Sequence, residues 1–442
     1  MRKITFLSLA LLLAVSFSAI AKDYPVSSAK ELSALNLKPG DRVLMKEGEW
    51  KDQQLKFKGV GSQGQPIVLM AANQGKTILN GNSTLDIDGS WLLVDGLSFA
   101  KGALDSGEVI NFSEKSSSCR LTNTSIIDYN STDDKVDYTW VSLRGTHNRV
   151  DHCLLQGKSH QGVTMVVWLS EKPNYHQIDH NYFGPRPELG RNGGETIRIG
   201  TSTWSFHDSF TVVEQNIFEH CDGEIEAVSV KSGKNSIRNN LFYECKATLT
   251  LRHGNHSEVT GNYFIGNGKP GTGGVRIIGE DHRVHDNYFQ DLTGTGNSAA
   301  ISVMAGLPNP ILVSHWQVKN AVITDNLVVN CKESFAIAAG YRKDRYLPAL
   351  NTYFAKNIIV GNSEPLKWYD EKVVVNFEDN LIFSTSFSGE KGRGFELKNE
   401  QLKKSSEGLF LRPGQADFKP FWKSEPVGPS GFLNLNNKII IN

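Results

Sequence analysis

At 442 residues the chain can hold one large domain or two ordinary ones. Its 47 basic and 47 acidic residues cancel, which excludes a bulk field suited to nucleic acid or a membrane surface; a polyanionic partner would have to be met by a local cleft. Met1-Arg2-Lys3, the apolar run Ile4 to Ile20 and the small-x-small Ala19-Ile20-Ala21 read as a signal peptide over residues 1–21, making the mature chain secreted or periplasmic. No cysteine follows Ala21 to carry a lipid anchor, and no later stretch approaches the ~18 apolar residues of a membrane span.

Beyond the leader, Ser28–Leu35 is the best amphipathic helix candidate, and RVLMKEG, PIVLMAAN, TILNG and WLLVDGLSFA read as short strands. A phrase then recurs around Asn181, Asn216, Asn240, Asn262, Asn287, Asn326, Asn357 and Asn380, as in IRNNLFYEC and VTGNYFIG, with a degenerate copy at Cys153. The spacings are 35, 24, 22, 25, 39, 31 and 23, which describe a turn of 22 to 25 residues with loop insertions. Short strands at that period without helices between them predict an all-β parallel β-helix, its coils stacked at ~4.8 Å. Asparagines at equivalent corners would then form a ladder. Leucine-rich and propeller readings fit less well, lacking spaced leucines or enough residues for a blade.

Cys221, Cys245 and Cys331 each lie five residues after their asparagine, so they should share one interior column as small buried thiols rather than disulfides. After Asn380 the phrase fades. Residues 22–388 are read as the β-helix domain, and 389–442 as a C-terminal extension packed on it.

The segments ETIRIG, EIEAVSVKS, TLTLRHG and GVRIIG occupy comparable parts of four successive coils and should form one sheet face. Side chains at i and i+2 of a strand share a face, so Glu224 and Glu226 can converge, with Asn192 and Glu195 brought near from the adjacent coil. Such an oxygen-rich cluster suits Ca²⁺, and without a cation its carboxylates would repel one another. Lys231 has odd parity relative to the glutamates, so strict alternation would turn it away unless the strand bends near Val230 or ends there.

The run NGGETIRIG…EQNIFEHCDGEIEAVSVKS…ATLTLRHG…GGVRIIGEDHRVHDNYF resembles polysaccharide lyase family 6, which contains alginate lyases and the dermatan-cleaving chondroitinase B. The resemblance is densest over Asn181–Gln290 and implies a right-handed parallel β-helix. It also implies Ca²⁺ ligands at Asn192, Glu224 and Glu226, with Glu195 a further candidate. Lys231 would be the Brønsted base, Arg252 the acid or electrostatic stabiliser, and His253 a residue of the substrate cleft. The implied reaction is β-elimination on an acidic uronan, with alginate as the expected substrate and dermatan sulfate as the alternative. Arg276 is poised between a substrate-carboxylate role and an ion pair with Glu280. Tyr341 and Arg342, in AAGYRKDRY, are further candidates to touch sugar. A uronan hydrolase on the same fold would leave Lys231 and Arg252 idle, and a non-catalytic polysaccharide binder would make the whole set coincidental.

Overall fold

The computed structural model describes residues 21–361, 365–372, 374–384, 394–423, 426–429, 439 and 441; the expected leader lies outside them except for Ala21. Each coil contributes three short strands, as in Val212–Glu214, Ile217–Glu219 and Glu226–Lys231. Among the described residues, equivalent strands of successive coils pair in parallel, building three sheets of 14, 14 and 12 strands. This is a parallel β-helix, and the 12-stranded sheet carries the chemistry; it is called the cleft sheet below.

The corner between the first and second strands explains the recurring phrase. His180, Gln215, Asn239, Gly261, Asp286, Asp325, Lys356 and Asp379 all take left-handed backbone, with φ between +51° and +65°. That conformation is costly for most side chains, and the asparagine that follows each of them holds it. Asn216 accepts from both the N–H and the Nδ2 of Asn181 at 3.0 and 2.9 Å, and donates in the same way to Asn240. The relay runs unbroken to Asn380. Cys153 occupies the same corner, its N–H bonded to Asn181 Oδ1 at 3.0 Å.

Two residues past each asparagine the side chain points inward. Phe183, Phe218, Phe242, Phe264 and Phe289 stack with centroids 4.6 to 4.9 Å apart, matching the coil spacing. Residues one past the asparagine point outward yet are apolar: Tyr182, Leu241, Tyr288 and Leu327 pack with Leu409, Trp422 and Val427 from the C-terminal region. Phe410 N–H donates to Tyr288 Oη at 3.0 Å, and Gly428 N–H to the carbonyl of His152 at 2.8 Å, so this region runs back along the outside of the second sheet. That sheet also continues past the asparagine phrase, because Phe395–Lys398 pairs in parallel with Asn380–Phe383.

The N-terminal helix is short, Ala29–Ser33, with Ser28 Oγ accepting from Glu31 N–H and Leu32 buried. All five cysteines are buried. Cys221 and Cys245 are in contact, the N–H of the first 3.5 Å from the sulfur of the second.

Candidate active site

On the cleft sheet the register places Arg198, Ser229, Thr250 and Arg276 side by side, facing outward, while Val228, Leu249 and Val275 face the core. Two irregularities break this regular face. Glu226 lies opposite Thr248 and Val228 opposite Leu249, so Ala227 is an extra residue in its strand. That bulge resets the parity: Glu226 faces outward before it, and Ser229 and Lys231 face outward after it. The sequence-based objection to Lys231 is thereby corrected, and the break falls at Ala227 rather than at Val230 alone. A second shift sets Val230 opposite Leu251 and Lys231 opposite His253, leaving Arg252 as the extra residue of its own strand, Thr248–His253.

The result is a cleft of about 810 Å³ whose lining includes Asn192, Glu224, Glu226, Lys231 and Arg252. Carboxylate oxygens of Glu195, Glu224 and Glu226 lie within 4.8 Å of one another. Glu195 is 1 % exposed; one of its oxygens accepts from Lys231 Nζ at 3.2 Å, and the other has no partner among the described residues. Glu224 accepts from the N–H groups of Gly193 and Gly194 at 3.0 and 3.5 Å. Burial, then the charges of Glu195 and Glu226, nevertheless push its carboxyl up to about 7. Glu226 is held on one oxygen by Ser229 Oγ and on the other by Arg276 Nη2.

Three close carboxylates with an unsatisfied buried oxygen form a hard, all-oxygen donor set that can hold a metal ion. The exposed side chain of Asn192 borders the same space and adds an amide oxygen.

The remaining candidates separate. Arg252 donates to the carbonyls of Ser314 at 3.2 Å and Val313 at 3.5 Å, and burial lowers its pKa, opposed by Glu226. His253 is buried with neither ring nitrogen bonded among the described residues, and burial, then Arg252 and Lys231, push it down to about 3, so it is neutral in ordinary buffers. Arg276 pairs with Glu226, while Glu280 takes Lys319 at 2.8 Å; the expected alternative of an Arg276–Glu280 pair is not what forms. Tyr341 is 45 % exposed and Arg342 pairs with Asp344 at 2.8 Å; neither is among the residues lining this cleft. Sequence reading missed Ser229, which only the bulge makes a neighbour of Glu226, and Arg186, a buried guanidinium hidden in the turn-like GPRPELG.

Residues 26–421 match the family model described as chondroitinase B. The structure superimposes on the PL6 family alginate lyase AlyGC with a TM-score of 0.85 at 40 % identity, over 88 % of this chain and 55 % of that one. This chain therefore spans about half the length of AlyGC. A mannuronic acid specific polysaccharide family 6 lyase from human gut microbiota gives 0.79 at 36 % identity, over 86 % and 92 % of the two chains. The PL6 polysaccharide lyase Pedsa3628 from Pseudopedobacter saltans gives 0.73 at 26 %, over 88 % and 98 %. No curated protein matches the chain. The chain belongs to polysaccharide lyase family 6, the chondroitinase B family.

Proposed function

We propose that this protein is an exported, calcium-dependent lyase that cleaves alginate by β-elimination. The observation that carries the reading is the convergence of Lys231, Arg252, Glu224 and Glu226 in one cleft, with the buried Glu195 carboxylate beside the two glutamates. The relatives at 40 % and 36 % identity, described as an alginate lyase and a mannuronic acid specific lyase, support the substrate. Export is supported by the apolar leader alone.

Elimination begins at C5 of a uronate, whose proton is weakly acidic because the neighbouring carboxylate is already charged. Asn192, Glu224 and Glu226, with Glu195, would hold Ca²⁺, which as a Lewis acid withdraws charge from that carboxylate when bound. Lys231 Nζ is the base that takes the C5 proton. The electron pair forms the C4–C5 double bond as the bond from C4 to the glycosidic oxygen breaks. Arg252 faces that oxygen and stabilises or protonates it; burial lowers the guanidinium's pKa, the direction a donor requires. Arg276 pairs with Glu226 and so sets a positive charge beside the three carboxylates.

Incubation with alginate, dermatan sulfate and pectate, with and without a chelator, tests the reading through the ultraviolet absorbance of the unsaturated product. Alginate should give absorbance that the chelator abolishes and added Ca²⁺ restores. Absorbance from dermatan sulfate alone would favour the second reading, to which the chondroitinase B family model points. New reducing ends without absorbance would mean hydrolysis instead.

A further inference from the structure

Arg186 stands five residues after Asn181, the position at which the following coils place Cys221 and Cys245 after Asn216 and Asn240. The register agrees, since Arg186 bridges to Cys221 in parallel. An interior column otherwise suited to small thiols thus receives a guanidinium, 2 % exposed, in the coil that borders the carboxylate cluster. Burying a guanidinium is costly unless its nitrogens find oxygens; Nε has no partner among the described residues, whereas both Nη atoms do, and the oxygens they find are informative.

Nη1 donates to the carbonyl of Glu195 at 2.8 Å and to Thr164 Oγ1 at 3.1 Å. Nη2 donates to the carbonyls of Gly162, His160 and Gly193 at 2.8, 3.0 and 3.4 Å. One side chain therefore ties both ends of Gly193–Glu195 to the preceding coil. That segment serves the cluster in three ways: Asn192 adjoins it, Glu195 ends it, and the Gly193 and Gly194 N–H groups hold Glu224. Space for the guanidinium is also reserved. A Cβ on Gly223 would lie 2.7 Å from Arg186 Nε and 2.3 Å from the Gly194 carbonyl, so the residue preceding Glu224 has to be glycine.

We propose that Arg186 is the positioning residue of the cation site, setting the segment Asn192–Glu195 and the Glu224 carboxylate in a binding geometry before any ion arrives. The proposal rests on the cation reading of Glu195, Glu224 and Glu226. Its own positive charge repels a cation, but that charge is shared among five oxygens, and the tethering outweighs the repulsion.

Calorimetric titration of metal-free protein with Ca²⁺ tests this in the wild type, Arg186→Lys, Arg186→Gln and Thr164→Val. Both Arg186 variants should weaken Ca²⁺ binding by about tenfold or more, the range seen when the support behind metal ligands is removed. Lysine should not rescue, because one ammonium cannot span both ends of the segment. Turnover should recover at high Ca²⁺, so the defect reads as a shift in the half-activating concentration. Thr164→Val removes one acceptor and little volume, so it tests the idea even if the Arg186 variants do not fold; it should weaken binding less, but measurably. Unchanged affinity in the folded variants, or tighter binding in Arg186→Gln, would overturn the proposal. A wild-type protein that binds no Ca²⁺ would instead sink the cation reading.

Discussion

The coil that begins at Asn216 passes through two regions built on opposite rules. At its corner, Asn216 repeats what Asn181 and Asn240 do, each amide satisfied by the next. A few residues later the same coil breaks the repeat twice in one strand pairing, at Ala227 and opposite Lys231, and there the carboxylates, Lys231 and Arg252 converge. Repetition satisfies backbone groups and stacks rings at uniform spacing, which supports stability. Function needs the opposite, unlike groups brought together, and bulges supply it by changing which residues face out.

The sharpest way to break this contrast is to mutate each region and measure both properties. Lys231→Ala should lower kcat by a factor of about 10²–10⁴, the usual worth of a positioned general base. It should change resistance to urea less than a ladder substitution does. Activity undiminished in Lys231→Ala would remove the proposed base. Asn262→Ala should do the reverse. It deletes the acceptor for two bonds from Asn240 and the donor to Ile237 and Asn287. Leaving buried polar groups unpaired should cost about 3–5 kcal/mol in urea unfolding, at ~1–3 kcal/mol each. Turnover well below the melting temperature should be unaffected.

This division also governs what could be read from sequence. The ladder was legible because its asparagines recur with apolar partners at fixed offsets, and a period survives loop insertions. Glu224 and Glu226 were legible as a pair because they are two apart, although Glu224 lies in the bend before the strand Glu226–Lys231 rather than within it. The alignment of Lys231 was not, because a bulge is a one-residue change of register that alternation rules cannot see; only the family resemblance assigned the lysine a role. Arg186 was hidden for another reason. Its partners are mostly backbone carbonyls from two coils, and these leave no side-chain signature.

A smaller effect should separate the regions by pH. On the outer face of the first sheet Asp151 is held by Arg120 at 2.7 and 2.6 Å and by His152 at 2.7 Å. Arg149 grips Asp179 at 2.8 and 2.6 Å. Burial alone would raise both carboxyls, yet these hydrogen bonds and the Arg charges outweigh it and hold both below the ordinary range. A folded-state pKa below the unfolded one gives stability that is present above about pH 4 and lost as pH falls through the folded value. Unfolding free energies from urea titrations down the acid range should therefore fall below about pH 4, by on the order of 1–3 kcal/mol for such a group. Asp151→Asn should flatten that limb; an unaltered acid limb would show that the pair contributes nothing.

The smallest effect asks whether the ladder is additive. Cys153 already has an asparagine's surroundings. The preceding residue, His152, is left-handed at φ +52°, and Asn181 Oδ1 receives the Cys153 N–H. Its sulfur lies 3.3 Å from the carbonyl of Asp151 and 3.8 Å from that of Leu121. These carbonyls correspond to the Arg238 and Val213 acceptors of Asn240 Nδ2. Cys153→Asn should therefore extend the relay by one coil. Each new bond is worth about 0.5–1.5 kcal/mol net, against an overpacking cost of about 1–3 kcal/mol for the larger side chain. A net gain of about 1 kcal/mol or less in urea unfolding is expected, because the acceptors are already in place and the corner needs no rearrangement. A loss larger than that would show that the corner is shaped around a thiol, and that the ladder ends at Asn181 by packing rather than by chance of sequence.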